Sequence, residues 1–121
     1  MNLHESGEMY LETILILSKE LPVVRAVDIA EALKISKASV SVALKNLDIN
    51  GYINIDKRKY ITLTKKGILI AKKIYERHEI ITAILISMGV NSGVAEADAC
   101  KIEHDISKES FDAIKKYFDY K

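Results

Sequence analysis

The chain has 121 residues, a length that predicts one compact unit or two small subdomains sharing a core. With 49% hydrophobic and 29% charged residues, its composition is that of a globular protein and excludes a disordered chain. A single cysteine excludes an internal disulfide framework. The sequence shows no signal peptide and no apolar stretch of membrane-spanning length, so we expect a cytoplasmic protein without a membrane partner.

The net charge of +1 is unevenly distributed along the chain. Residues 34–77 carry a net charge of about +8, whereas both flanking segments are acidic. A basic block of this kind is often only a solvated face, but it is also the electrostatic footprint expected for binding a polyanion.

Apolar residues at helical spacing predict a first helix over about Ser6–Lys19 and a short second helix over Val27–Leu33. Ser36 is a good N-cap for a third helix that runs to about Asn50. Gly51 then stands at the position where a glycine ends a helix.

The periodicity next changes from helical to alternating. Residues 52–56 and 60–64 alternate between apolar and polar side chains, and Lys57-Arg58-Lys59 lies between them. This pattern predicts a β-hairpin with a basic tip.

Thr64 can cap a long fourth helix, Lys65–Met88, and two further helices are predicted over residues 92–106 and 107–117. The second half of the long helix, Ile80–Met88, is apolar on nearly every side. Such a helix in a small chain needs an additional surface to bury it, and we expect that surface to be a second copy of the chain.

The order helix, turn, helix and basic hairpin is typical of a winged helix-turn-helix domain. In that fold a recognition helix enters the major groove of double-stranded DNA, while lysine and arginine side chains contact phosphates. An isolated winged helix can also act as a protein-interaction module. The predicted DNA contacts are Ser36, Lys37, Ala38, Ser39, Ser41, Val42, Lys45, Lys57, Arg58 and Lys59.

Cys100, Glu103 and His104 are spaced i, i+3 and i+4, so on a helix they share one face and can reach a single metal ion. The spacing alone is weak evidence, because a lone cysteine is more often a small buried apolar residue and a Glu-His pair is usually solvated. Met9 and Glu12, three residues apart on the first helix, are further candidate ligands, as is His78, which alone is better explained as a core or interface histidine.

At this point the chain resembles a known family, the metal-dependent repressors typified by the diphtheria toxin repressor and the manganese transport regulator. The resemblance spans nearly the whole chain, in order and without large gaps. It rests on Glu8-Met9-Tyr10-Leu11, Ile29-Ala30-Glu31-Ala32-Leu33, Ser39-Val40-Ser41, Leu63-Thr64-Lys65-Lys66-Gly67, Arg77-His78 and Cys100-x-x-Glu103-His104.

The resemblance implies a mainly α fold, with a winged helix-turn-helix DNA-binding domain over residues 1–70 and a helical dimerisation and metal-binding domain over residues 71–121. It implies the short form of the family, without the C-terminal SH3-like domain. It also implies a homodimer that binds a palindromic operator when loaded with a divalent metal and represses genes of metal homeostasis.

The implied ligands are Met9, Glu12, His78, Cys100, Glu103 and His104, for one or two ions per subunit. Met9 and Cys100 resemble the iron branch of the family, whereas Glu12 matches a carboxylate of the manganese branch. Glu96 stands where the iron branch has a histidine and could also ligate. Because thiolate and thioether are softer ligands than carboxylates, we expect iron(II) to be favoured over manganese(II). The ion would then join the first helix to the second half of the chain.

Three other classes of protein are alternatives to this prediction. One of them, a pure dimerisation or adaptor module, does not explain the basic block over residues 34–77. A metal-independent winged-helix regulator would use Cys100 only for packing. An enzyme could use Cys100 and His104 as an activated nucleophile, but the sequence has no oxyanion-hole loop and no glycine-rich phosphate cradle. We therefore expect no catalytic residues and no small-molecule substrate.

Overall fold

The computed structural model describes the backbone of residues 5–119 and the side chains of residues 7–118. The helices are α1 (Glu5–Glu20), α2 (Ala26–Leu33), α3 (Lys37–Ile49), α4 (Lys65–Ser87), α5 (Ser92–Asp105) and α6 (Lys108–Asp119), and the strands are β1 (Ile53–Ile55) and β2 (Ile61–Leu63). The predicted mainly α fold with a two-stranded wing is confirmed. None of the helices in this part of the chain is long and apolar enough to cross a membrane.

The helix ends lie within two residues of their predicted positions because the expected capping residues are in place. The Oγ of Ser36 accepts a hydrogen bond of 3.1 Å from the backbone N–H of Ser39 at the start of α3. Thr64 does the same for Gly67 at the start of α4, also at 3.1 Å. Gly51 adopts a φ of +80° directly after α3, as a helix-ending glycine does.

The strands are one residue shorter at each end than the alternation predicted. They pair in antiparallel register, with Ile53 opposite Leu63 and Ile55 opposite Ile61. Asp56 and Tyr60 are left out of the strands because their backbones already form the turn of the hairpin, in which Asp56 N–H donates to the Tyr60 carbonyl at 3.0 Å.

The chain divides into two compact units, and the division falls within α4 between Lys72 and Lys73. In the first unit α1 packs against α2 and β2, α2 packs against α3, and α3 packs against β1. The side chains that fill it are fully or almost fully buried: Leu11, Ile14, Ile29, Val40, Leu47 and Ile53. Burial of these apolar groups is the main force that holds the helix-turn-helix against the wing.

The second unit has a small apolar core of its own. Ile81 of α4, Ala99 of α5 and Phe111 of α6 are buried together, and Ile80, Leu85 and Ile106 pack against them. Because Ala99 is small, α5 can approach the other two helices closely at this point.

Gly67 lies where the fold leaves no room for a side chain. A Cβ atom at this buried position would collide with the backbone carbonyl oxygen of Tyr52 and lie 3.3 Å from the Cδ2 of Leu63. We expect Gly67→Ala to lower the free energy of unfolding by about 1–3 kcal/mol, since this overpacking outweighs the better helix propensity of alanine. Urea denaturation followed by circular dichroism measures the change.

Lys65→Ala is the matched control, because Lys65 is exposed in the same helical turn. Its unfolding free energy should stay within about 0.5 kcal/mol of the wild type. If Gly67→Ala were as stable as this control, the close approach of α4 to Tyr52 would be wrong.

Candidate functional site

A carboxylate ends the buried stripe of α5. Ala95, Ala99 and Glu103 follow one another at four-residue intervals, and each has 0% of its surface exposed. Two alanines suit a closely packed helix face, but a glutamate at the third position does not. A buried carboxylate is unfavourable unless hydrogen bonds or opposite charges compensate for the lost hydration, so Glu103 identifies a candidate functional site.

Two histidines converge on the Glu103 carboxylate. His78 Nδ1, on α4, lies 2.8 Å from Glu103 Oε2, and a protonated Nδ1 donates to that oxygen. His104 Nε2 lies 3.3 Å from the other oxygen, Oε1. Glu103 Oε1 nevertheless accepts no hydrogen bond from any residue that the structure describes. One buried oxygen of the carboxylate is therefore available for a further positively charged partner.

Cys100, Glu103 and His104 lie together as their spacing predicted. Each offers one potential ligand atom, and these three atoms lie within 4.8 Å of one another. Cys100 is half-buried, and the side chains of Glu103 and His104 are fully buried. A thiolate, a carboxylate and an imidazole form a donor set that suits a divalent transition metal. The residues present therefore fit such an ion, although their binding to one stays a prediction.

The other candidate ligands lie elsewhere along the chain. Met9 and Glu12 are on α1 in the first unit, where Met9 is half-buried and Glu12 is buried. Their part in binding an ion stays a prediction from the family resemblance. Glu96 is exposed on α5 and lies outside the cluster of Cys100, Glu103 and His104.

The predicted DNA-contacting residues are all exposed in the first unit. Ser36, at the N-cap of α3, begins an outward-facing row, while Val40 and Leu44 turn inward. Val42 is 64% exposed and belongs to the same outward-facing row. The other exposed members of the predicted set are Lys37, Ala38, Ser39, Ser41, Lys45, Lys57, Arg58 and Lys59.

Hydrogen bonds that the sequence analysis missed hold the tip of the wing in one shape. Asp56 Oδ1 accepts from the backbone N–H groups of Arg58 and Tyr60, both at 2.9 Å. The guanidinium of Arg25, just before α2, lies over the Tyr60 ring at 5.1 Å and donates to its hydroxyl at 3.3 Å. The aspartate was detectable as a turn residue, whereas the contact of Arg25 with the wing needs the tertiary structure.

Comparison with known proteins gives two family matches that together cover nearly the whole chain. Residues 2–61 match the family model "Iron dependent repressor, N-terminal DNA binding domain". Residues 64–121 match "Iron dependent repressor, metal binding and dimerisation domain".

Individual relatives agree with these matches. An uncharacterized HTH-type transcriptional regulator of Methanocaldococcus jannaschii is 36% identical over 118 residues, which cover 95% of this chain and 94% of the relative. The HTH-type transcriptional regulator MntR of Bacillus subtilis is 36% identical over 115 residues, which cover 95% and 81%.

Two solved structures are also similar over most of this chain. The manganese regulator SloR matches with a TM-score of 0.83 and 27% identity, over 100% of this chain and 56% of that chain. The metal-dependent transcriptional regulator MtsR matches with a TM-score of 0.87 and 28% identity, over 95% and 54%. The chain thus spans slightly more than half the length of these two solved proteins.

The tip of the wing contains a lysine with a left-handed backbone. Lys59 has a φ of +68°, a left-handed conformation that glycine adopts more easily than lysine. Lys59→Gly should therefore raise the free energy of unfolding by about 1 kcal/mol. It should also weaken DNA binding, because the phosphate contact predicted for Lys59 would be lost. Urea denaturation measures the first effect, and fluorescence anisotropy at several salt concentrations measures the second.

Lys57→Ala is the matched control, since it removes a charge from the same exposed tip at a residue without a left-handed backbone. It should weaken DNA binding without raising stability. Unchanged DNA affinity and an unchanged salt dependence in Lys59→Gly would contradict the assignment of Lys59 to a phosphate.

Proposed function

The chain belongs to the iron-dependent repressor family of metal-dependent transcriptional regulators, and from this premise we propose that it represses transcription by binding an operator when loaded with a divalent metal. Family members are regulators and not enzymes. The observation that carries the proposal is the convergence of Cys100, Glu103 and His104 in the region that matches the metal-binding domain.

The metal-binding residues would act on the conformation of the chain rather than on a substrate. A bound divalent ion would supply positive charge beside Glu103 Oε1, which accepts no hydrogen bond from the described residues. Cys100 and His104 would hold the ion beside it. We propose His78 as a further ligand, and its Nδ1 also orients Glu103 through the 2.8 Å contact with Oε2. We propose that Met9 and Glu12 add ligands from α1, in a site of one or two ions per subunit.

For the metal itself we propose iron(II) in preference to manganese(II). The support is the donor chemistry of Cys100, since a thiolate favours iron, cobalt, nickel or zinc over manganese. The name of one similar solved protein, the manganese regulator SloR, favours manganese(II) instead. The general order of affinities of divalent metals for such a site would also allow zinc or copper to bind. The supply of each metal in the cell therefore contributes to which ion occupies the site.

The described second unit exposes an apolar surface that a second copy of the chain can cover. Met88 is 74% exposed, Tyr117 is 65% exposed and Ile86 is 45% exposed. Met88 and Tyr117 line a groove of about 620 Å³ together with Ile84, Ile114 and Phe118. The matching family domain is a dimerisation domain, and the chain forms a homodimer accordingly. We propose that this groove is part of the dimer interface.

A homodimer presents two recognition helices, which suits a palindromic operator in double-stranded DNA with half-sites about 34 Å apart. The exposed residues of α3 would read base edges, while Lys45, Lys57, Arg58 and Lys59 would contact phosphates. Because metal favours the DNA-competent state, linkage requires DNA to tighten metal binding in return. We propose that a DNA-binding regulator of this kind works in the cytoplasm.

The proposal predicts that Cys100→Ala and His104→Ala lose metal-dependent DNA binding but remain folded. In the wild type, metal should tighten operator binding by roughly 5–150-fold, the usual range of allosteric coupling, and iron(II) should act at a lower free concentration than manganese(II). Fluorescence anisotropy with a duplex selected from a random pool by the loaded protein measures the effect, and circular dichroism checks the fold.

Lys101→Ala is the matched control, because Lys101 lies on the same helix with an exposed side chain. It should keep the metal response of the wild type. Equal operator affinity with and without metal in the wild type would instead indicate a metal-independent winged-helix regulator.

A further inference from the structure

We infer that Arg77 is a positioning residue for the metal centre, because its guanidinium fixes the main chain of Glu103 while the next residue, His78, fixes the Glu103 carboxylate. This inference rests on the proposed function, since it concerns a residue that orients a proposed ligand. Arg77 itself lies outside the ligand set.

Arg77 is a buried charged residue with defined partners. It is on α4 and only 9% exposed. Its Nη1 donates to the backbone carbonyl of Glu103 at 3.1 Å and to that of Ile106 at 3.0 Å. The same nitrogen therefore bridges two carbonyls, one in the last turn of α5 and one just beyond it.

The free carbonyl groups at the C-terminal end of α5 explain why the guanidinium of Arg77 lies there. The last four carbonyl groups of a helix have no partner within the helix. At the end of α5, Ile106 N–H bonds to the Ile102 carbonyl, and Arg77 takes the next carbonyl, that of Glu103. The positive charge of Arg77 also interacts favourably with the negative end of the helix dipole. The backbone of Glu103 is thus held from outside its own helix.

Two consecutive residues of α4 consequently hold two different parts of one ligand. Arg77 binds the main-chain oxygen of Glu103, and His78 Nδ1 lies 2.8 Å from its side-chain Oε2. With both ends fixed, Oε1 has little freedom to move away from the ligand atoms of Cys100 and His104. Groups that orient metal ligands in this way commonly change metal affinity by about 10–100-fold when they are removed.

The packing of Arg77 shows why lysine would not replace it. Its Cζ lies 5.3 Å from the centre of the Phe111 ring, which is 4% exposed on α6. A planar guanidinium lies over the ring and still extends Nη1 to both carbonyls. A lysine ammonium also has donors, but its nitrogen ends one bond short of the Nη1 position, so it reaches the two carbonyls less well.

The test measures cobalt(II) binding to the full-length protein by visible absorption, which reports both the affinity and the geometry of a thiolate-containing site. We expect Arg77→Gln to weaken cobalt(II) binding by about 10–100-fold and to change the absorption bands. We expect Arg77→Lys to weaken it by about 10-fold, the lower end of the same range, because the shorter lysine side chain reaches the two carbonyls less well. Hydrogen exchange of the metal-free variants should be faster at the end of α5.

Glu76→Gln is the matched control, since it removes the exposed 2.7 Å ion pair with Lys115 from the neighbouring position of α4. It should bind cobalt(II) within about 2-fold of the wild type, as expected of a surface pair. Wild-type cobalt(II) affinity and spectrum in Arg77→Lys would overturn the role of Arg77, and this variant decides the matter if Arg77→Gln does not fold. Absence of a thiolate–cobalt band in the wild type would instead contradict the metal site itself.

Discussion

The second half of this protein is organised around one fully buried carboxylate. Glu103 continues the stripe of Ala95 and Ala99 on α5 and brings a negative charge into a closely packed interior. His78 compensates one oxygen, and the other has no hydrogen-bond donor among the described residues. Removing a carboxylate from water is strongly unfavourable unless it is paired, so the arrangement favours the approach of a cation. A bound metal would therefore neutralise the charge of a carboxylate that the folded chain already buries.

The first half presents an exposed basic surface with a fixed shape. The N-terminal part of α3 is supported from beneath by Val40 and Leu44, and hydrogen bonds to Asp56 hold the tip of the wing. Lys59 lies at the exposed tip of the wing with a left-handed backbone that glycine would adopt more easily. A preformed surface of this kind loses little conformational entropy when it binds the proposed DNA operator.

Local chemistry determined how much could be predicted from the sequence. Ser36 and Thr64 predicted helix starts, and Gly51 predicted a helix end, because capping depends on neighbouring residues. The grouping of Cys100, Glu103 and His104 followed from helical spacing alone. The contacts of Arg77 with Glu103 and Ile106 could not be predicted, because they join residues 26 and 29 positions apart. The complete burial of Glu103 could not be predicted either, because a glutamate is ordinarily exposed.

X-ray absorption at the zinc edge can identify the ligands of the proposed metal centre, because it reports which atoms surround the ion. Zinc-loaded wild-type protein should show a sulfur neighbour at about 2.3 Å beside nitrogen and oxygen neighbours at about 2.0–2.2 Å. The sulfur contribution at this distance should fall in Cys100→Ser, leaving at most that of the proposed Met9 thioether. A wild-type spectrum with only nitrogen and oxygen around zinc, or an unchanged sulfur contribution in the variant, would contradict a metal centre built on Cys100, Glu103 and His104.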